Sequence, residues 1–197
     1  FLGNEKELIN GYMYYKHGPE KQNRRGSGGV GIILSPKAQR AWEMSGFKPA
    51  VCGGNIAGTT RLMGIHLAFL DENDNLKPIF VMSAYHPSTL GSSKKDIEQT
   101  EKNMEEFATA YNRILSTINK VVPVFIGGDI NCKIGTNTAD CQNVEGLRAI
   151  TGKFGNPENN PKGFEVRQLL STNDLCLVNT FFQHKNYNTY TSPSGTQ

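Results

Sequence analysis

The run Val121-Val122-Pro123-Val124-Phe125-Ile126, passing straight into Gly127-Gly128-Asp129-Ile130-Asn131, constrains this chain more than any other feature. An apolar stretch of this length, rich in β-branched residues and closed by glycine and short polar residues, reads as a buried strand that releases the chain into a loop. The sheet fixes the point from which the loop's polar side chains project, so such strand ends are natural sites of function. Asp129 and Asn131 are two residues apart, and a continuing strand turns both to one face with Ile130 on the other. A carboxylate there can orient or deprotonate water, while an amide can hold a phosphate oxygen or the attacking water without titrating. The same residue types also satisfy loop backbone, so the spacing alone leaves both readings open.

Further strands are expected at Val30 to Leu34, at Arg61 to Leu70 and at Ile79 to Tyr85. The polar stretch Asp71-Glu72-Asn73-Asp74-Asn75 joins the last two as a hairpin and lacks the spacing of a helix-loop-helix calcium site. The stretch Arg24-Arg25-Gly26-Ser27-Gly28-Gly29 has no phosphate-loop lysine followed by Ser or Thr, and no complete dinucleotide fingerprint. After Pro87 the period changes: Ile97, Glu101, Met104, Ala108, Tyr111, Leu115 and Ile118 recur at helical spacing, opposite Glu98, Lys102, Glu105 and Arg113. Ser92 or Ser93 caps that helix, which is expected to cover a sheet. Gly135 to Pro161 reads as irregular, Gly163 to Asn173 as a short helix and Leu175 to Phe181 as a strand. Phe1 to Gly28 reads as entry part-way through a fold. Strands joined partly by hairpins and partly by helices predict an α/β chain of the α+β, mixed-sheet type.

A chain of 197 residues suits one large domain or most of one. Residues 1 to 61 hold nine Lys or Arg against four Asp or Glu, a balance of +5, and the remainder holds twelve against fourteen, a balance of −2. A basic region of this kind permits a phosphate-bearing partner without requiring one. Cys52, Cys132, Cys141 and Cys176 form no CxxC pair, and no secretory leader or other targeting signal is visible, so an intracellular setting, the nucleus included, is expected. The apolar runs are too short to cross a bilayer.

Two further polar ends join the first. Ser83-Ala84-Tyr85-His86-Pro87 closes a strand where the Tyr85 hydroxyl can donate to phosphate, with His86 read as an exposed turn residue. Val178-Asn179-Thr180-Phe181-Phe182 precedes Thr189-Tyr190-Thr191-Ser192-Pro193, with Phe181 and Phe182 expected to close the core and Tyr190 to face substrate. Cys132 and the four histidines, His17, His66, His86 and His184, have no spacing that defines a metal site.

The order and spacing of these segments resemble the endonuclease/exonuclease/phosphatase family. The likeness is greatest to the endonuclease domains of non-long-terminal-repeat retrotransposons and their craniofacial-development-protein-like relatives. The anchors are Arg25 to Ile32, Ser83 to Pro87, Gly128 to Asn131, Leu175 to Phe182 and Thr189 to Pro193. The resemblance implies a four-layer α/β/β/α sandwich, incomplete at both ends, with residues 1–197 forming a partial domain. It implies Asp129 as water-orienting residue or general base, Asn131 as partner of phosphate or water, and Tyr85 as support of the scissile phosphate. Tyr190, Thr191 and Ser192 correspond to the late turn near substrate, with Tyr190 in place of the family's frequent tryptophan. The family's early Asn and metal-binding Glu, and its late Asp-His pair, have no counterparts here, so the principal metal ligand is expected outside this sequence.

The activity so implied for the parent is magnesium-dependent (Mg2+, with Mn2+ as substitute) hydrolysis of DNA phosphodiesters, and a reverse-transcriptase domain is expected in the same parent chain. The isolated fragment is expected to be inactive. Two other readings stay open: a phosphoinositide or small phosphate-ester phosphatase of the same fold, and a non-catalytic nucleic-acid-binding or structural remnant.

Overall fold

The computed structural model describes residues 4–19, 29–135 and 150–183. The chain divides into two compact units, Phe1–Asn131 and Cys132–Gln197. Two sheets and a set of helices give it an α+β architecture, as the alternation of periods in the sequence predicts.

In the first unit, β1 (Asn4–Ile9) and β2 (Tyr12–His17) form an antiparallel hairpin whose turn residues, Asn10 and Gly11, have φ of 51° and 80°. Asn-Gly is the sequence best suited to that left-handed pair, so this hairpin has a clear signal in a segment read only as entry part-way through a fold. Strand β3 (Val30–Leu34) pairs antiparallel with β2 and completes a three-stranded sheet. Helix α1 (Pro36–Met44) follows at once: the Ser35 hydroxyl accepts from the Ala38 amide, and Pro36 sits where its missing N–H costs nothing.

The second sheet has the order β4-β5-β6-β7. Short β4 (Val51–Cys52) and the one-turn α2 (Gly54–Ala57) lead to β5 (Leu62–Leu70), which forms the expected hairpin with β6 (Leu76–Tyr85). Helix α3 (Lys94–Ser116) then carries the chain to β7 (Val124–Asp129), parallel to β6. Parallel pairing demands such a crossover, because a short turn cannot return the chain to the same end of the sheet.

The core lies between the sheets, where Tyr15, Val30 and Leu34 meet Met63, Ile65 and Leu67, with Ala41 of α1 and Cys52 added. Alternation sends Leu62, Phe80 and Met82 to the other face of the second sheet, where all three are buried. Gly64 makes room there: a Cβ on it would lie 2.1 Å from the Phe80 ring, so the ring lies across β5. Burial of Phe80 contributes roughly 1.5–3 kcal/mol on transfer grounds.

Helix α3 buries Phe107, Ala110, Tyr111 and Ile114. That face is displaced from the expected one: Ile97 is 46% exposed and Glu101 is also exposed, while Phe107 and Ile114 take the core positions. The expected polar residues Glu98, Lys102, Glu105 and Arg113 do face solvent. Strand β7 also differs from expectation: it begins after Pro123, which has no N–H to give a ladder, and runs on through Asp129. Val121 is 82% and Phe125 57% exposed, so this strand is less buried than its apolar run suggests.

In the second unit, α4 (Pro161–Thr172) is capped by Asn160, whose side chain accepts from the Gly163 amide at 2.8 Å. Arg167 is buried and donates to the Gly135 carbonyl and the Thr151 hydroxyl. The segment expected as a strand from Leu175 to Phe181 is instead a single bridge, Thr151 with Leu177, and a 3₁₀ turn over Val178–Phe181. Thr180 explains the turn, because its hydroxyl donates to the Leu177 carbonyl and accepts from the Gly152 amide, both at 2.7 Å. Phe181 and Phe182, expected in the core, are exposed. Among the described residues no helix is long and apolar enough to cross a membrane.

Candidate functional site

The site grows from the parallel pair β6 and β7. Tyr85 and Asp129, the last residues of the two strands, are register partners. Partners in register turn their side chains to the same face, so the phenol and the carboxylate leave one end of the sheet on one side. Gly128 lets the strands come this close: a Cβ there would lie 1.7 Å from the Ala84 carbonyl oxygen. The ladder continues one step beyond the strands, with the His86 amide donating to the Asp129 carbonyl at 2.9 Å.

Asn131 arrives by a turn and not by strand alternation. Its φ is 47°, a left-handed conformation that asparagine tolerates better than most residues. Its amide N–H donates to Asp129 Oδ1 at 2.9 Å, and its Nδ2 donates to the His86 carbonyl at 2.8 Å. The side-chain amide is thereby oriented, leaving the Asn131 Oδ1 as acceptor. Among the described residues, the Asn131 bond is the one the Asp129 carboxylate accepts, so Oδ2 is available to a proton or a cation.

Arg61 is the residue the sequence reading missed as part of this cluster. Its carbonyl accepts from the Tyr85 amide at 2.9 Å, and its guanidinium carbon stands 4.9 Å from the centre of the Tyr85 ring. Its Nη1 is buried with no hydrogen-bond partner among the described residues. An unsatisfied guanidinium nitrogen of this kind is costly unless an anion or water completes it. A signal was present: Leu70 pairs with Leu76, and counting outward from that turn brings residue 61 opposite residue 85.

His86 is 5% exposed and not the surface residue expected; its ring packs edge-on to Phe107 at 4.8 Å. Together with buried Pro87 it joins the end of β6 to α3, so its contribution at the site comes through its backbone. The hairpin carboxylate Asp71 has a different function. The amide of Asn75 above all, then that of Asn73 and the Lys77 ammonium, reach it and hold its pKa down at about 2. The loop is a structural turn, as expected.

Tyr190, Thr191 and Ser192 lie outside the described residues, as does His184. Among the described residues no three His, Cys, Asp or Glu side chains converge as a ligand group for a metal. The donors at the site, Asp129 Oδ2 and Asn131 Oδ1, are oxygens and so match magnesium in kind, but one carboxylate is a partial shell. Comparison with models of known protein families, with characterised proteins and with solved structures returns no match to this chain.

Proposed function

We propose that this chain forms part of a magnesium-dependent phosphodiester hydrolase acting on DNA, in the manner of the endonuclease/exonuclease/phosphatase family that its motifs resemble. The observation that carries the reading is the register of Tyr85 with Asp129 at the ends of adjacent parallel strands, with Asn131 hydrogen-bonded to Asp129 and to the His86 carbonyl.

In this reading Asp129 Oδ2 takes a proton from the attacking water, and Asn131 Oδ1 fixes where that water sits. The Tyr85 hydroxyl donates to a non-bridging phosphate oxygen. Arg61, stacked on the same ring, supplies positive charge beside that phosphate. Magnesium, when bound, supplies charge neutralisation at the phosphate and the leaving oxygen.

Nicking of supercoiled plasmid by the complete parent protein in magnesium tests the proposal. Asp129→Ala is expected to slow cleavage about 10²–10⁴-fold, the range of a lost general base. Equal specific activity of the two proteins defeats the assigned role, and hydrolysis of a small phosphate ester without nicking redirects it to the phosphatase reading.

A further inference from the structure

We infer that His17, a residue of the first sheet, is a positioning residue for Arg61, which leads into β5 of the second. The inference rests on the reading of Arg61 as a phosphate partner for its functional meaning, though not for its geometry.

His17 ends β2 and is 3% exposed. Its Nε2 lies 3.2 Å from the Gly54 amide nitrogen and 3.4 Å from the Thr59 carbonyl oxygen. The amide can only donate and the carbonyl can only accept, so a ring in one state satisfies one of them. The amide is the shorter contact, and a buried N–H left without an acceptor costs more than a carbonyl in the same position. The ring is therefore neutral, carries its proton on Nδ1 and accepts at Nε2. Burial pushes the His17 pKa down, against a smaller opposing effect of the Thr59 carbonyl, which fits a neutral ring.

The segment is shaped around this imidazole. A Cβ on Gly54 would lie 2.8 Å from His17 Cε1, so glycine is required for the ring to sit there. Gly53 is equally confined, with the Thr59 carbonyl 2.9 Å from a Cβ built on it, and Gly58 closes the turn at φ 74°. The Thr59 hydroxyl then accepts from the Arg61 amide at 3.4 Å, and the Arg61 carbonyl accepts from Tyr85. The imidazole thus holds the Gly54 amide, the Gly54 carbonyl accepts from the Gly58 amide at 3.2 Å where the turn closes, and Thr59 beyond it holds the backbone of Arg61. Removing the acceptor at Nε2 releases the Gly54 amide and, with it, the turn that sets where Arg61 begins.

The test uses the full chain, labelled with ¹⁵N. Ring-nitrogen spectra are expected to show His17 Nε2 unprotonated and Nδ1 protonated; a proton on Nε2 overturns the inference, and this result needs no variant. His17→Leu keeps volume without an acceptor, and is expected to speed exchange of the Gly54 amide by about tenfold or more and to shift the Arg61 side-chain and Tyr85 amide resonances. His17→Gln, whose carbonyl can accept from Gly54, is expected to restore both. Unshifted Arg61 and Tyr85 resonances in His17→Leu overturn the coupling, as does failure of Gln to outperform Leu. With short duplex DNA in magnesium, His17→Leu is expected to bind about tenfold more weakly, a difference of about 1.4 kcal/mol. DNA that binds neither protein counts against the phosphate role of Arg61, while the ring-nitrogen result still decides the coupling.

Discussion

The two ends of β6 make an instructive pair, for each places an aspartate at a turn. At the hairpin end, Asp71 accepts from two backbone amides and also reaches Asn75 Nδ2 and Lys77. At the far end, among the described residues, Asp129 accepts one bond, from the Asn131 amide, and faces the same side as Tyr85. The first carboxylate is consumed by its own loop; the second is held from one oxygen and keeps the other. Local hydrogen bonding, and not residue type, separates a structural aspartate from one able to perform chemistry.

The largest expected effect sharpens this contrast. In the nicking assay that tests the proposed function, Asp71→Asn should leave cleavage within about twofold, against the 10²–10⁴-fold loss expected at Asp129. A comparable fall in both variants would dissolve the distinction. Next comes Gly128→Ala, where the new methyl meets the Ala84 carbonyl; destabilisation of about 3 kcal/mol or more is expected in denaturant titration. Its neighbour Gly127 has open space around its Cβ position, so Gly127→Ala should stay within about 0.5 kcal/mol. Tyr85→Phe keeps the ring beneath Arg61 and deletes the hydroxyl, so cleavage should drop about tenfold with the thermal midpoint unchanged.

The smallest effect is in pH dependence. Burial lowers the pKa of His17 below its ordinary 6.5, and burial together with Lys48 lowers that of His66. The unfolded chain therefore binds more protons than the folded one between the lowered values and 6.5, and stability present above 6.5 is lost as pH falls into that window. Asp71, lowered from 3.8 to about 2, holds its contribution above 3.8 and loses it only as pH falls towards 2. Urea midpoints measured from pH 8 downward should decline in two separate stages; a first decline beginning below pH 4 would contradict the burial of the histidines.

Legibility in the sequence followed the reach of the determining contacts. The β5–β6 hairpin, α3 with its Ser93 cap, and α4 announce themselves through local period and turn chemistry. The Asn10-Gly11 hairpin and the Ser35-Pro36 helix start carried equally local signals and were overlooked. The phase of α3 and the exposure of Phe125 depend on which surface each element meets, which period alone does not encode. Leu175 to Phe181 has strand composition, but the Thr180 hydroxyl closes a tighter turn. At the site, Asp129, Asn131 and Tyr85 stood out as polar residues ending apolar runs. Arg61 did not, since its membership follows from antiparallel register carried across the whole hairpin. His17 was further still from view, because its partners Gly54 and Thr59 lie about forty residues away in the turn between β4 and β5.

Trp42 is the sole tryptophan of the chain. It is set edge-on to Tyr15 and Phe47, under the Lys6 ammonium, with its indole N–H on the Lys48 carbonyl. All of these belong to the unit ending at Asn131, so intrinsic emission at the indole wavelength reports on that unit and is silent on the other. A melt followed by fluorescence and one followed by far-ultraviolet dichroism will coincide only if the two units lose structure together, and their divergence would measure how independently the second one folds.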